Sequence, residues 1–209
     1  MTTDDSRDNS IAGQQDPAKI AGSMNGSSEE SPKILTEDER IALRALRLSD
    51  SALIVRWRNN DRVRQNYIYQ EKFTLEGQER YFHTKVETKE VFQFIILEKP
   101  SLRPVGSCVL SDYDPAAGQA ECGVFIGEDD ATGRRYAESA LRLMNDYGFD
   151  RLGLSRIIAR VFTDNIGSIT ASRRVGLRTI DTLPNVKRTD GSVKDMILIE
   201  ITKDERDHG

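Results

Sequence analysis

The chain has 209 residues, a net charge of −4 and 37% hydrophobic residues, enough for one sizeable core. Residues 1–40 hold nine acids against four bases, leaving 25 of the 34 acids and 26 of the 30 bases for the remainder. The body is therefore nearly neutral and offers no electrostatic case for nucleic acid, and no apolar run is long enough for a membrane-spanning helix.

Residues 1–38 are rich in Ser, Asp, Asn and Gly and nearly free of large apolar groups, so they are expected to form a disordered acidic tail. "IALRALRL" from Ile41 alternates apolar and polar positions and predicts a first strand. Asp50 is a candidate cap for a helix bearing Leu53, Ile54 and Trp57. "TLEGQERYFHTKV" (74–86) predicts a second helix interrupted by Gly77, and "VFQFIILE" (91–98) a central strand. "RPVGSCVLSDY" and "QAECGVFI" read as two strands joined by the turn "DPAAG". A helix from about Thr132 to Asp150 follows, then the strand "RIIARVF" (156–162). Asp164 is placed to cap a helix from Asn165 towards Val175, with Gly176 as its stop. A hairpin around Asp190-Gly191 ends the domain, taken as 39–203, with 204–209 as a flexible end.

The residues available restrict the chemistry. Only His83 and His208 exist, which excludes a histidine-rich zinc site and leaves no Ser-His-Asp or Cys-His arrangement. Neither GxxxxGK[ST] nor GxGxxG is present. Cys108 and Cys122 fit free thiols in a reducing compartment, and the N-terminus lacks a signal-peptide pattern, so a cytoplasmic location is expected. Within "GEDDATGRRYAESAL" (127–141), Gly133 to Ala137 open a helix and would present free backbone N–H groups. That is either an anion seat or an ordinary solvated turn.

The stretch from "VGSCVLSDYDPAAGQAECGVFIGEDDATGRRYAESALRLMNDYGFDRLGLSRI" through "DNIGSITASRRVGL" resembles the GNAT superfamily of N-acetyltransferases, particularly its RimJ/RimL-like branch. The resemblance extends over about residues 41–202 and rests on the order and spacing of its motifs. It implies an α/β fold with a mixed, largely antiparallel sheet, splayed between its fourth and fifth strands and flanked by about four helices. It implies acetyl-CoA as cosubstrate, no metal, and direct acetyl transfer to a primary amine. By the resemblance, pyrophosphate would rest on the backbone of Gly133, Arg134, Arg135, Tyr136 and Ala137. Pantetheine would lie along Val124, Phe125 and Ile126, with Asn165 and Ser168 touching the arm or the phosphates. The alternative for Asn165 and Ser168 is capping and packing. Glu121 matches a carboxylate that serves as base in relatives; otherwise it is an exposed strand residue.

The chain departs from the family pattern at three places. Asp130 stands where Arg or Gln often opens the loop, Arg135 replaces a small residue, and Ser172 stands where many relatives carry Tyr. For the acceptor, "WRN" (57–59) and "TLEGQERYF" resemble RimL-like enzymes and acetyltransferases of the pseudaminic-acid pathway. Trp57, Arg58, Asn59, Tyr67 and Tyr69 are the candidate substrate residues, by ring stacking and charge, against a solvated basic helix with Trp57 in the core. The expected partner is a small-molecule amine such as an amino sugar, with neither nucleic acid nor membrane, and the chain a monomer or homodimer. The alternatives are a protein N-terminus as acceptor, or a silent acyl-CoA-binding module.

Overall fold

The computed structural model describes residues 32–208. Their strands form one eight-stranded sheet in the order β1-β2-β3-β4-β5-β6-β8-β7. The strands are β1 (Thr36–Glu37), β2 (Ile41–Ala45), β3 (Phe92–Glu98), β4 (Arg103–Asp114), β5 (Gln119–Ile126), β6 (Arg156–Phe162), β7 (Arg178–Lys187) and β8 (Val193–Thr202). All neighbours run antiparallel except β5 and β6. The helices are α1 (Ser51–Arg58), α2 (Asp61–Arg64), α3 (Leu75–Tyr81), α4 (Tyr136–Arg151), α5 (Ile166–Arg174) and α6 (Lys203–His208).

Strand periodicity sends alternate side chains to opposite faces, and the two faces carry separate cores. Ala120 and Cys122 of β5 join Leu141, Met144 and Phe149 of α4 on one face. Phe125 packs on the other face with Ile54 and Trp57 of α1 and Phe82. Both cysteines are buried and free, and burial drives both thiols up, Cys122 to about 12.

The splay expected between the fourth and fifth strands of the sequence pattern falls between β5 and β6. Their parallel pairing runs from Gln119↔Arg156 to Glu121↔Ile158 and then stops. Beyond it, β5 continues to Ile126 on β4 while β6 continues to Phe162 on β8. The edge of β5 that faces β6 is thus left unpaired from Cys122 onward.

Several boundaries differ from expectation, each for a local reason. Residues 1–31 of the expected tail lie outside the described residues, whereas Thr36–Glu37 already pairs with β2. The expected flexible end is helical, with Arg206 bonded to Asp146 and Asp150 of α4. Asp50 does not cap α1; it is buried and binds Arg44 through both carboxylate oxygens at 2.7 and 2.8 Å. Asn165, not Asp164, caps α5 by accepting from the Ser168 N–H at 3.1 Å. The helix over 74–86 begins as α3, capped by Thr74, and its last turn, Phe82–Val86, is π-helical. Helix α4 starts at Tyr136, later than expected, because Gly133 and Arg135 take left-handed φ values of 73° and 62°.

Candidate active site

Two cavities meet at the end of β5. The first is a cleft of about 280 Å³ in the opening between β5 and β6. Val124, Phe125 and Ile126 form one wall, Ala159 to Phe162 the other, and Gly133, Ala137, Asn165 and Ser168 close its end.

The end of this cleft at the start of α4 is built from backbone. Among the described residues, no protein acceptor takes the backbone N–H groups of Arg134 to Ala137. They sit at the positive end of the 16-residue helix α4. A side chain at Gly133 would meet nothing, so the approach there is open, and its φ of 73° favours glycine. Free donors, a helix dipole and open space above a glycine fit the pyrophosphate of CoA.

The side chains of that loop lie elsewhere. Arg135 is bonded to Glu138 at 3.0 and 2.8 Å, so it neither clamps the cleft nor floats free. The Tyr136 hydroxyl donates to Glu98 at 3.4 Å, and Arg134 lies 3.9 Å from the same carboxylate. For Arg134, Arg135 and Tyr136 it is therefore the main chain, and not the side chain, that faces the cleft without a protein partner.

The three acids before the loop are tied away from it. Glu128 binds Arg56 and accepts from the Trp57 indole at 2.9 Å. Asp129 accepts from Arg62 at 2.8 Å, and Asp130 from Arg103 at 3.0 Å. The guanidinium of Arg56 holds the Glu128 carboxyl below its ordinary range, and Arg103 does the same to Asp130. Each of these three negative charges thus has a cation of its own.

The second cavity, about 590 Å³, lies on the other side of β5 and shares Tyr67, Gly123 and Phe125 with the cleft. Its walls are Tyr67, Tyr69, Phe73, Tyr81 and Phe125, and its floor is Gln93 and Ser107 of β3 and β4. Arg58 and Lys72 are its charged lining; among the described residues no carboxylate or histidine contributes. Arg58 lies 3.3 Å from the Tyr67 ring centroid and 4.7 Å from that of Phe73, a stacked guanidinium. Burial pushes the Tyr81 hydroxyl up to about 12 against the opposing charge of Arg58, so at neutral pH it stays an O–H donor.

This geometry corrects part of the acceptor assignment. Trp57 is 1% exposed and packs edge-on to Phe125, so its ring is core and has no free face for a substrate. Asn59 is structural: its amide donates to the Phe73 carbonyl at 2.9 Å and accepts from the Phe73 N–H at 2.8 Å. Arg58, Tyr67 and Tyr69 do line the pocket. Glu121 lines neither cavity and is held in a two-pronged ion pair by Arg160, which lines the cleft. Both of its carboxylate oxygens are engaged by Arg160, so neither is turned towards a cavity.

The sequence reading missed Lys72, Phe73, Gln78, Tyr81, Gln93 and Ser107. The spacing of Gln78 and Tyr81, i and i+3 on α3, was the available signal that one face of that helix carries polar groups inward.

Residues 40–178 match the model of the acetyltransferase (GNAT) domain. An uncharacterised N-acetyltransferase, p20, of Bacillus licheniformis is 26% identical over 171 residues, covering 80% of this chain and 95% of that one. In fold the chain is similar to spermidine N-acetyltransferase from Vibrio cholerae, solved with CoA and spermine. That match has a TM-score of 0.74 at 18% identity and covers 81% and 99% of the two chains. It is also similar to RimJ of Mycobacterium smegmatis, solved with CoA-disulfide, with a TM-score of 0.68 at 23% identity over 79% and 83%. A sheet that opens beside free backbone N–H groups at the start of α4, and a domain match over about two thirds of its length, place this chain in the GNAT family of acetyltransferases.

Proposed function

We propose that this chain transfers an acetyl group from acetyl-CoA, held in the β5–β6 cleft, to the primary amine of a small molecule held in the aromatic pocket. The shared border of the two cavities at Tyr67, Gly123 and Phe125 carries this reading. In this reading a nucleophile on one side of β5 meets the thioester at that border.

The backbone of Arg134 to Ala137 would hold the pyrophosphate, and the unpaired edge of Val124 to Ile126 would receive the pantetheine amides as a further strand would. Asn165 and Ser168 border the same cleft. Bound acetyl-CoA supplies a thioester whose acyl carbon bonds the amine nitrogen as the C–S bond breaks, one proton leaving the amine and one reaching sulfur. The pocket needs no carboxylate to free the amine. Arg58 and Lys72 disfavour a further positive charge, so an ammonium entering there loses its proton to water more readily.

The test is calorimetric titration with CoA, followed by thiol release from acetyl-CoA over a panel of small amines and peptide N-termini. CoA binding with turnover on small amines supports the proposal. Turnover on peptides alone moves the acceptor to a protein N-terminus, and CoA binding without any turnover makes the chain a silent acyl-CoA-binding module.

A further inference from the structure

We propose that the acceptor is an amine that also carries an oxyanion, a carboxylate or a phosphate, on an aromatic or apolar body. This rests on the acetyltransferase reading above and assigns the substrate class of its second cavity.

The first argument is charge. Arg56, Arg62 and Arg64 are bound to Glu128, Asp129 and Asp61. Arg58 is instead stacked between Tyr67 and Phe73, and Lys72 lines the same pocket, to which no acid among the described residues contributes. A polyamine entering this pocket would bring positive charge against positive charge with nothing to offset it. An oxyanion would meet two cations.

The second argument is an inventory of hydrogen bonds. Gln78 lines the pocket, is 4% exposed, and its side-chain nitrogen is buried without a partner. A buried donor left unpaired is costly, so this one calls for an acceptor oxygen from a ligand. Arg58, Lys72 and the Tyr81 hydroxyl add further donors. An ammonium has no lone pair for any of them; a carboxylate or phosphate has several.

The third argument is placement. The donors Arg58 and Gln78 belong to α1 and α3, whereas the floor belongs to the sheet. There Gln93, Val109 and Gly123 lie in one row across β3, β4 and β5. The Gln93 amide nitrogen donates to Ser107 at 3.0 Å, and Ser107 donates to the Phe94 carbonyl at 2.8 Å. That chain leaves the Gln93 oxygen as the acceptor at the floor, in the row that ends at the border with the cleft. The amine is therefore assigned to the floor near Gly123, the oxyanion to the helical wall, and the ring to the aromatic sides.

The test needs no acetyl-CoA. Trp57, the sole tryptophan, lies 6.1 Å from the Phe125 ring and reports on the pocket by fluorescence. The wild-type protein is titrated with 2-phenylethylamine, L-phenylalanine, tyramine phosphate and spermidine. The second and third probes add a carboxylate or a phosphate to the first and so tell the two oxyanions apart. At least one of them should bind about tenfold or more tighter than 2-phenylethylamine, with spermidine weakest. Replacing Arg58→Gln together with Lys72→Gln should erase the preference while CoA affinity by calorimetry is kept. Gln78→Leu, neutral and of similar volume, should weaken only the oxyanion probes. Spermidine or 2-phenylethylamine binding as tightly as both oxyanion probes, or no oxyanion probe binding at millimolar concentration, overturns the proposal with CoA binding intact. Loss of CoA binding in the wild-type chain instead overturns the acetyltransferase reading itself.

Discussion

The two cavities are built by different means. The cleft between β5 and β6 offers main chain: an unpaired strand edge, free N–H groups at the start of α4, and a glycine with nothing above it. The pocket across β5 offers side chains brought from α1, α3 and the loop between α2 and α3 onto a sheet floor. A backbone site asks little of residue identity, and the fold that supplies its strands and helix is shared at 18% identity. A side-chain site changes with each substitution, so the acceptor does not follow from the fold.

Trp57 joins the two and offers the harshest way to break the comparison. Its ring fills the space over Gly127, packs on Phe125, and its indole holds Glu128. Trp57→Ala should cost about 3–5 kcal/mol, measured by urea unfolding, and should impair both cavities together. Loss confined to one cavity would show that they are independent.

Gly133→Val then separates them. A β-branched residue at φ 73° is strained, and its methyls would cover the phosphate seat. CoA affinity should fall about 10- to 100-fold by calorimetry, whereas fluorescence titration of the pocket should be unchanged. Arg58→Gln is the converse, and smaller. The acceptor KM should rise about tenfold with CoA affinity kept, because the guanidinium touches only the aromatic pocket.

The same division explains what could be read from the sequence. The strands over 91–98, 103–114, 119–126 and 156–162, the turn after Asp114, and the opening at Gly133 are local patterns, visible in runs of about ten residues. The pocket is not local. Arg160 lies 39 positions from the Glu121 that it binds, and Gln93 comes from a different element from Gln78. The place of Trp57 stays open in the sequence because a tryptophan beside arginines looks the same whether it faces a ligand or the core; only the partners Gly127 and Glu128 decide it. The pairing of acids 128–130 is equally hidden from the sequence, because their cations lie far off in the chain, on α1, α2 and β4.

Glu121→Gln gives a smaller effect again. If Glu121 served as the base, its loss would remove the limb of the pH–rate profile that it governs. Since Arg160 binds it with both carboxylate oxygens, the expected result is a two- to threefold loss of rate, of about 0.5 kcal/mol, with the profile unmoved.

The smallest effect is expected where the sequence looks most anomalous. Arg135 stands where a small residue is usual in the phosphate loop, in the left-handed region at φ 62°. Its guanidinium is bound to Glu138, which also lies 3.5 Å from Arg174, so its side chain serves the start of α4 and not the cleft. In Arg135→Gly the loss of a half-exposed ion pair, about 0.2–1 kcal/mol, opposes relief of left-handed strain of similar size. Stability should therefore change little, and CoA affinity should stay within about twofold, because the main-chain N–H groups that make the seat are all retained. A tenfold loss of CoA affinity in this variant would mean that Arg135 leaves Glu138 for the phosphates when CoA binds, and the cleft would then depend on side-chain identity as the pocket does.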